Sequence, residues 1–231
     1  MGQPGRLICV LGMHRSGTSC LTGSLQDAGL FLGDCHTWNP FNHKGNRENA
    51  EFVDLNDEIL AANDGAWNKP PRRAVWRPEH ALKALDILDR HEDVTALGFK
   101  DPRTLLVLEG WKQVYPKIEF VGIMRHPNAV AASLQNRENM PRAEALSLWY
   151  KYNKLLYKEY RRRSFPILCF DEDEELFHQK LDKAVQSLDL SGEKKDQRFY
   201  DDELRTSHRA QCESLPWKVQ RLYDQLLKKC L

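Results

Sequence analysis

The feature that most constrains this chain is a short glycine-containing loop between an apolar run and a helical pattern. The loop extends from Gly12 to Ser19 and reads Gly-Met-His-Arg-Ser-Gly-Thr-Ser. The preceding run, Arg6 to Leu11, is short and apolar, which is typical of a buried parallel strand. Apolar residues at helical spacing follow between Gly17 and Ala28, and Gly29 is suited to end that helix. We therefore predict a strand, a loop and a helix in that order.

The loop has the spacing of the Walker A phosphate-binding motif, with a difference at one position. Glycines such as Gly12 and Gly17 let successive backbone N–H groups converge on a phosphate, and the following helix adds its positive end. Thr18 stands where a nucleotide kinase or an ATPase needs a lysine. Arg15 can supply the missing cation from within the loop, because a guanidinium can bind two phosphate oxygens at once. We predict a phosphate-binding loop in preference to a plain glycine-rich turn.

Strands and helices alternate along the rest of the chain. We predict further strands over 94–99, 118–124 and 166–170. We predict helices over 49–62, 78–90, 105–115, 127–137 and 143–160. The acidic run Asp171 to Glu175 is expected to begin another helix, since the helix dipole favours negative charge there. Segments 34–46 and 64–77 carry turn residues and are predicted to be irregular.

This alternation predicts the fold class. Strands that alternate with helices form a parallel sheet with helices on both faces. With the phosphate loop, the pattern predicts a three-layer α/β/α fold of the P-loop NTPase type. We expect one domain over residues 1–231, with a mainly helical C-terminal part. Ligands of such sheets bind at the carboxyl ends of the strands, so the irregular segments near 34–77 are expected to flank the site.

Composition excludes several classes of protein. The chain has 231 residues, of which 41% are apolar and 29% charged, which is typical of a globular protein. A net charge of +1, with acids and bases interspersed, does not indicate a nucleic-acid partner. No apolar stretch approaches the ~20 residues that span a bilayer, and the six cysteines form no CxxC pair. We expect a reduced, cytoplasmic protein, unless an anchor precedes this sequence; the oligomeric state is not indicated.

Three motifs together resemble those of sulfotransferases that use 3′-phosphoadenosine 5′-phosphosulfate (PAPS). The loop His14 to Ser19 is similar to the family's 5′-phosphosulfate loop. The run Arg125 to Val130, with Ser133, resembles its 3′-phosphate motif, R-x-P-x-x-V-x-x-S. The run Phe99 to Leu105 resembles the Lys-Asp-Pro segment of tyrosylprotein sulfotransferases and of many bacterial-type members. The motifs occur in family order and span more than half of the chain, from Gly12 to Ser133.

The resemblance implies a set of residues that bind PAPS. Arg125 ends an apolar strand and Ser133 lies about two helical turns later, so both can reach one phosphate. A late segment, Phe199 to Arg205, resembles a Phe…Leu-Arg element of bacterial-type members, which implies that Arg205 reaches the nucleotide. The donor-binding residues implied in this way are His14, Arg15, Ser16, Gly17, Thr18, Ser19, Arg125, Ser133 and Arg205.

The resemblance also implies the chemistry. Sulfuryl transfer is an in-line displacement in which the protein positions the reactants and neutralises charge, much as in phosphoryl transfer. We expect Arg15 to hold the leaving 5′-phosphate and Lys100, at the end of the second strand, to hold the sulfuryl or bridging oxygens. We expect no metal, because PAPS has no polyphosphate chain to neutralise.

The acceptor hydroxyl needs a general base, for which three candidates are open. Cytosolic members of the family use a histidine where this chain has Pro102, so that role does not transfer. Other branches use a glutamate after the first helix, and Glu48 matches it, although Glu48 is equally consistent with a carboxylate at a helix start. His43 and Asp101 are the alternatives; Asp101 can instead pair with Arg103 or cap the next helix.

Two other functions remain open from the sequence. A P-loop small-molecule kinase would need Mg²⁺ and a lysine where Thr18 stands. A non-catalytic nucleotide-binding domain can have the same fold without turnover. The acceptor of a sulfotransferase can be a small molecule, a glycan, a lipid or a peptide, and segments 34–46 and 64–77 are expected to select it. The second of these segments contains Trp67, Trp76, Arg72 and Arg73. These side chains can line the acceptor site; alternatively, the tryptophans pack in the core and the arginines are exposed to solvent.

Overall fold

Four parallel strands form the central sheet. A computed structural model describes residues 2–35, 45–190 and 213–231. Within these ranges the strands pair in the order β2-β1-β3-β4. They are β1 (Arg6–Leu11), β2 (Ala96–Lys100), β3 (Glu119–Met124) and β4 (Ile167–Cys169). The predicted fold class is confirmed, and all four predicted strands form; β2 begins two residues later than expected and includes Lys100.

Eight helices are found in the described ranges, and each predicted helix forms within a few residues of its expected bounds. They are α1 (Thr18–Asp27), α2 (Ala50–Ala61), α3 (Pro78–Asp89), α4 (Thr104–Val114), α5 (Pro127–Glu138), α6 (Arg142–Arg162), α7 (Glu174–Ser187) and α8 (Trp217–Leu227). The prolines that begin α3 and α5 suit the first helical turn, where no N–H donor is needed. None of these helices is long and apolar enough to cross a membrane.

The two faces of the sheet bury separate apolar clusters. Successive side chains of a strand point to opposite faces. Leu7, Cys9 and Leu11 therefore pack on one side, against apolar residues of α2 to α6 and α8. Ile8 and Val10 pack on the other side, against α1 and α7. The result is a three-layer arrangement in which β1 is almost completely buried.

The strand order directs four chain segments to one edge of the sheet. β1 lies between β2 and β3, so the next strand of the chain, β2, pairs with one edge of β1 and the following strand, β3, pairs with the other. Loops of such sheets diverge at this point and leave a crevice at the carboxyl ends of the strands. The residues found there are the loop after β1, Lys100 at the end of β2, Arg125 after β3 and Phe170 after β4.

Candidate active site

The loop between β1 and α1 approaches its neighbours too closely for a side chain at two positions. Gly17 has φ of 86°, and a Cβ there would lie 2.2 Å from a ring carbon of Phe170. A Cβ on Gly12 would lie 2.7 Å from the carbonyl oxygen of Ile123. Glycine removes both overlaps, and its freedom at positive φ permits the turn into α1. The loop is therefore held against the ends of β3 and β4.

Arg15 joins two motifs that are far apart in the sequence. Its Nε donates a hydrogen bond to Ser133 Oγ at 2.8 Å, across 118 positions of the chain. Its carbonyl accepts a hydrogen bond from Arg125 at 3.4 Å. Arg15 has φ of 66°, which is uncommon for a residue other than glycine and is held by these contacts. Burial lowers the pKa of Arg15, and the nearby cations Arg137 and Arg125 lower it further, so the site has an excess of positive charge.

Ser16 has a buried hydroxyl that forms no hydrogen bond with any described residue. Its side chain is completely buried. A buried polar group without a partner costs free energy, on the order of 1 to 3 kcal/mol, which a bound ligand can recover. With the loop N–H groups and two guanidinium groups nearby, this hydroxyl fits an anionic ligand such as a phosphate group.

Asp171 is a site residue that the sequence interpretation missed. One carboxylate oxygen lies 3.4 Å from Arg125 Nε and the other accepts the backbone N–H of His126. The acidic run Asp171 to Glu175 leads into a helix as expected, with Asp173 as the N-cap of α7 and Glu174 and Glu175 in its first turn, but Asp171 itself precedes the helix. The position of Asp171 one residue beyond Phe170, at the end of β4, was a usable indication, because β3 and β4 are neighbours in the sheet.

Arg125 is further oriented by two aromatic side chains. Trp149 Nε1 donates to its carbonyl oxygen at 3.0 Å, and its guanidinium carbon lies 5.1 Å from the centre of the Phe170 ring. The residue is only 6% exposed. Packing of this kind holds a guanidinium in one orientation before a ligand binds.

Glu48, Lys100 and Ser19 form a contiguous polar group. Lys100 Nζ donates to Glu48 Oε1 at 2.8 Å and lies 3.4 Å from Ser19 Oγ. The Lys100 side chain is 1% exposed and that of Glu48 is 17% exposed. Glu48 precedes Asn49, the N-cap of α2, so it is not part of the helix. Of the two alternatives for Glu48, the geometry favours a residue of the site over a helix-start carboxylate.

These groups face one cavity of about 230 Å³. Its wall includes residues of the loop between β1 and α1 and a residue of segment 64–77, where the acceptor is expected. The residues lining it are His14, Arg15, Thr18, Ser19, Asn46, Glu48, Trp67, Lys100, Pro102, Arg103, Leu134, Arg137 and Glu138. The cavity therefore brings together residues from the loop after β1, from the Lys-Asp-Pro segment, from segment 64–77 and from α5, whereas Arg125 and Ser133 do not line it.

The imidazole of His14 lies against the ring of Trp67. The two ring centres are 4.6 Å apart, and Tyr152 lies edge-on at 5.9 Å. Burial lowers the pKa of His14 well below its ordinary value, and the cations around it, Arg103 above all, lower it further. Both effects favour the neutral imidazole, and no described residue forms a hydrogen bond with its buried Nε2.

The two tryptophans of segment 64–77 have different environments. Trp67 lines the cavity. Trp76 packs instead against Trp111, with ring centres 5.4 Å apart, and donates from Nε1 to the Val107 carbonyl at 2.9 Å. Trp76 is thus a core residue, as the second of the two interpretations expected.

Asp101 is buried beneath the cavity and does not line it. Its carboxylate accepts hydrogen bonds from Asn56 Nδ2 at 2.9 Å and from the Arg103 guanidinium at 2.8 Å. Burial raises the pKa of Asp101 to about 6, although Arg103 opposes this. Asp101 orients Arg103, which lines the cavity and also pairs with Asp57 at 2.7 Å. Asp101 is completely buried and therefore has no exposed oxygen toward the cavity.

Two candidates fall outside the part of the chain that the structure describes. They are His43, an alternative base, and Arg205, an expected nucleotide contact. In the described ranges, no group of three or more His, Cys, Asp or Glu side chains is arranged to hold a metal ion.

Comparison with solved structures shows that the fold of this chain is a known one. The sulfotransferase domain of the Synechococcus PCC 7002 olefin synthase superposes with a TM-score of 0.64 at 16% identity, over 98% of this chain and 96% of that one. The chain has a sulfotransferase fold. No family model matches the sequence, and no curated protein matches it either.

Two other structures align with lower scores. TT1252 from Thermus thermophilus gives a TM-score of 0.44 at 16% identity, over 82% of this chain and all of that one. Retinol dehydratase, solved with androsterone and the inactive cofactor PAP, gives 0.31 at 12% identity, over 98% of this chain and 65% of that one.

Proposed function

We propose that this protein transfers a sulfuryl group from PAPS to a hydroxyl group of an acceptor. The observation that carries the proposal is the contact of Arg15 with Ser133 at 2.8 Å, next to Arg125. It joins the loop expected at the 5′-phosphosulfate to the motif expected at the 3′-phosphate. PAPS bears anionic groups at both of these positions of one ribose, so a single ligand suits both motifs.

The geometry favours a different role for Arg15 from the one expected at the leaving 5′-phosphate. Its guanidinium is directed to Ser133, and Arg125 lies beside its carbonyl group. We therefore propose that Arg15, Arg125 and Ser133 together hold the 3′-phosphate. The 5′-phosphate is then bound by the loop N–H groups at the positive end of α1 and by the buried hydroxyl of Ser16.

The proposed step is an in-line displacement at sulfur. The acceptor oxygen forms a bond to sulfur as its proton passes to Glu48. The bond from sulfur to the 5′-phosphate oxygen breaks, and its electron pair stays on the phosphate, which leaves adenosine 3′,5′-bisphosphate. Lys100 lies beside Glu48 and stabilises the negative charge that spreads over the sulfuryl oxygens. No group of the protein is consumed.

The acceptor side of the cavity is formed by aromatic, aliphatic and charged groups. Trp67, Pro102 and Leu134 offer apolar contacts, and Arg103 and Arg137 offer positive charge. The small volume, about 230 Å³, suits the reacting end of an acceptor better than the whole of a large one. Small-molecule, glycan, lipid and peptide acceptors all have a hydroxyl that can enter such a space.

Calorimetric titration tests the donor site. Adenosine 3′,5′-bisphosphate should bind without metal and more tightly than ATP. Arg125→Ala should weaken it by about 2 kcal/mol, or roughly 30-fold, because charge-assisted contacts are lost. Arg221→Ala, which removes a guanidinium from α8 outside the cavity, should leave the affinity unchanged. Preference for ATP with Mg²⁺ would contradict the proposal and favour the kinase alternative.

Turnover tests the chemistry separately. The protein should release adenosine 3′,5′-bisphosphate from PAPS faster when an acceptor mixture is added. Tight bisphosphate binding without turnover on any hydroxyl acceptor would instead favour a non-catalytic nucleotide-binding domain.

A further inference from the structure

A second, larger concavity lies outside the candidate active site. It has a volume of about 920 Å³ and is formed by α6, the first turns of α4 and the segment that follows Trp67. Pro70, Pro71, Leu106 and Leu155 supply apolar surface within it. We call it the α6 groove. Its volume is within the range of small-molecule sites, about 300 to 1,000 Å³.

The α6 groove is bordered by positive charge. On α6 the cations recur at helical spacing and so follow one face of the helix, in a row about 15 Å long. None of the acidic residues in the described ranges lines the groove. The cations lining it are Arg72, Lys151, Lys154, Lys158, Arg161 and Arg162.

Of these six cations, the three lysines form no ion pair within the described ranges. Arg162 pairs with Glu109 and Glu159. In the part of the chain that the structure describes, no carboxylate lies within 4.0 Å of the charged nitrogen atoms of Lys151, Lys154 or Lys158. Like charges spaced along one helix face repel one another, and a bound anion would relieve that repulsion.

The two properties together define the ligand chemistry. A groove for a plain polyanion does not need an apolar floor, and a groove for a neutral hydrocarbon does not need a row of cations. We propose that the α6 groove binds an amphiphilic anion, a hydrocarbon chain that ends in a phosphate or a carboxylate. The hydrocarbon part of this ligand contacts Leu106 and Leu155, and its anionic group contacts the lysines of α6.

The α6 groove adjoins the candidate active site but shares no lining residue with it. Trp67 lines the cavity and Pro70 lines the groove, so their Cα atoms are at most about 11 Å apart. Tyr152 of α6 donates its hydroxyl to the Trp67 carbonyl at 2.8 Å, which ties the helix to this segment. Binding in the groove is nevertheless a property distinct from donor binding, and it does not depend on the proposed function.

Three probes separate the parts of the ligand. Decyl phosphate carries both chain and anion, inorganic phosphate carries the anion alone, and decanol carries the chain alone. Calorimetric titration of the full chain, below the concentration at which decyl phosphate forms micelles, should give decyl phosphate at least about tenfold higher affinity than either of the others.

Substitutions then locate the site. The triple variant Lys151→Gln, Lys154→Gln and Lys158→Gln should weaken decyl phosphate binding by at least about tenfold, because three charge-assisted contacts are lost. The control variant Lys218→Gln, Lys228→Gln and Lys229→Gln removes three exposed lysines outside the groove and should leave the affinity unchanged. Both variants should unfold in urea at the same midpoint as the unmodified protein, which shows that they are folded.

Several results would overturn this assignment. If decyl phosphate and inorganic phosphate bind with equal affinity, the hydrocarbon part of the ligand is not bound. If decanol binds as tightly as decyl phosphate, the anionic group is not recognised. Polyglutamate binding of equal strength, lost in the same triple variant, would mean a site for acidic peptides. Binding to phosphatidylserine vesicles without binding of free decyl phosphate would mean a membrane-contact surface. Failure of bisphosphate binding alone would count against the proposed function and leave the groove assignment standing.

Discussion

Lys100 and Glu48 form an ion pair of 2.8 Å between the end of β2 and the residue before the N-cap of α2. The two side chains are 52 positions apart in the sequence, and both line the candidate cavity. A lysine side chain that is 1% exposed is costly to keep charged unless a carboxylate lies close to it. Folding therefore brings the candidate base and the candidate cation together before any ligand binds.

Glu48→Gln should separate binding from catalysis. A glutamine keeps the size and a hydrogen-bonding oxygen near Lys100 but cannot take up the acceptor proton. We expect bisphosphate affinity to change little and turnover to fall by about 10² to 10⁴-fold, the usual contribution of a general base. Glu51→Gln, on the first turn of α2, is the matched control and should keep full activity. An active Glu48→Gln variant would show that another group is the base.

Ser133→Ala should weaken donor binding through Arg15. The substitution removes the oxygen that accepts the hydrogen bond from Arg15 Nε and a candidate contact to the 3′-phosphate. A hydrogen bond of this kind contributes about 1 kcal/mol, so we expect roughly fivefold weaker bisphosphate binding in calorimetry. Ser187→Ala removes a serine hydroxyl from α7, far along the chain from the loop, and should have no effect on the affinity. Unchanged affinity in Ser133→Ala would refute the grouping of Arg15 with Ser133.

Gly17→Ala should damage the loop itself. The left-handed conformation costs a residue with a Cβ about 1 to 2 kcal/mol, and the added Cβ would also overlap the Phe170 ring. We expect a loss of unfolding free energy of at least this size in urea titrations, together with loss of bisphosphate binding.

Gly33→Ala is the control for that experiment. Gly33 also has a positive φ, 63°, and a Cβ there would approach the Asn49 amide to 2.9 Å, but it does not line the cavity. The variant should therefore be destabilised yet still bind the bisphosphate. Equal loss of binding in both variants would indicate general unfolding in place of a phosphate-loop effect.

Asp101→Asn should change how stability depends on pH. The pKa of Asp101 rises from 3.8 to about 6 on folding, so between these values the folded state holds a proton that the unfolded state has lost. In that window the unmodified protein should lose stability relative to the variant as pH rises, by up to ~1.4 kcal/mol per pH unit. Above pH 6 the difference should become constant.

Urea unfolding of both proteins at several pH values between 4 and 7 measures this difference. Asp57→Asn is the control, because its carboxylate also pairs with Arg103 but is about half exposed. The opposite slope, with the unmodified protein gaining stability relative to Asp101→Asn as pH rises, would show that the ion pair with Arg103 outweighs burial.

The strands and helices were predictable because their determinants are local. β1 and β3 are continuous apolar runs, as strands buried on both faces must be. Asn49 caps α2, and proline begins α3 and α5, where these residue types are favoured. The loop, Lys100 and Arg125 could likewise be assigned to one edge of the sheet, because each follows or ends a strand and parallel strands end together.

The remaining contacts of the site depend on long-range packing. Asp171 reaches Arg125 across 46 positions because β4 pairs with β3, and its position just after β4 indicated the edge of the sheet but not this partner. His14 lies against Trp67 because α6 and segment 64–77 meet above the loop. In each case the contact depends on which helices, strands and loops become neighbours in the fold. The spacing of residues along the chain does not determine this arrangement.

Local spacing in the sequence was thus sufficient for the fold class, the position of the loop between β1 and α1 and the four strand ends, because hydrogen-bonding and apolar periodicities act over a few residues. Only the folded chain establishes the pairing of Glu48 with Lys100, the contact of Arg15 with Ser133 and the apolar residues that line one groove with the lysines of α6. These side chains are far apart in the sequence and meet only when whole helices and strands pack together.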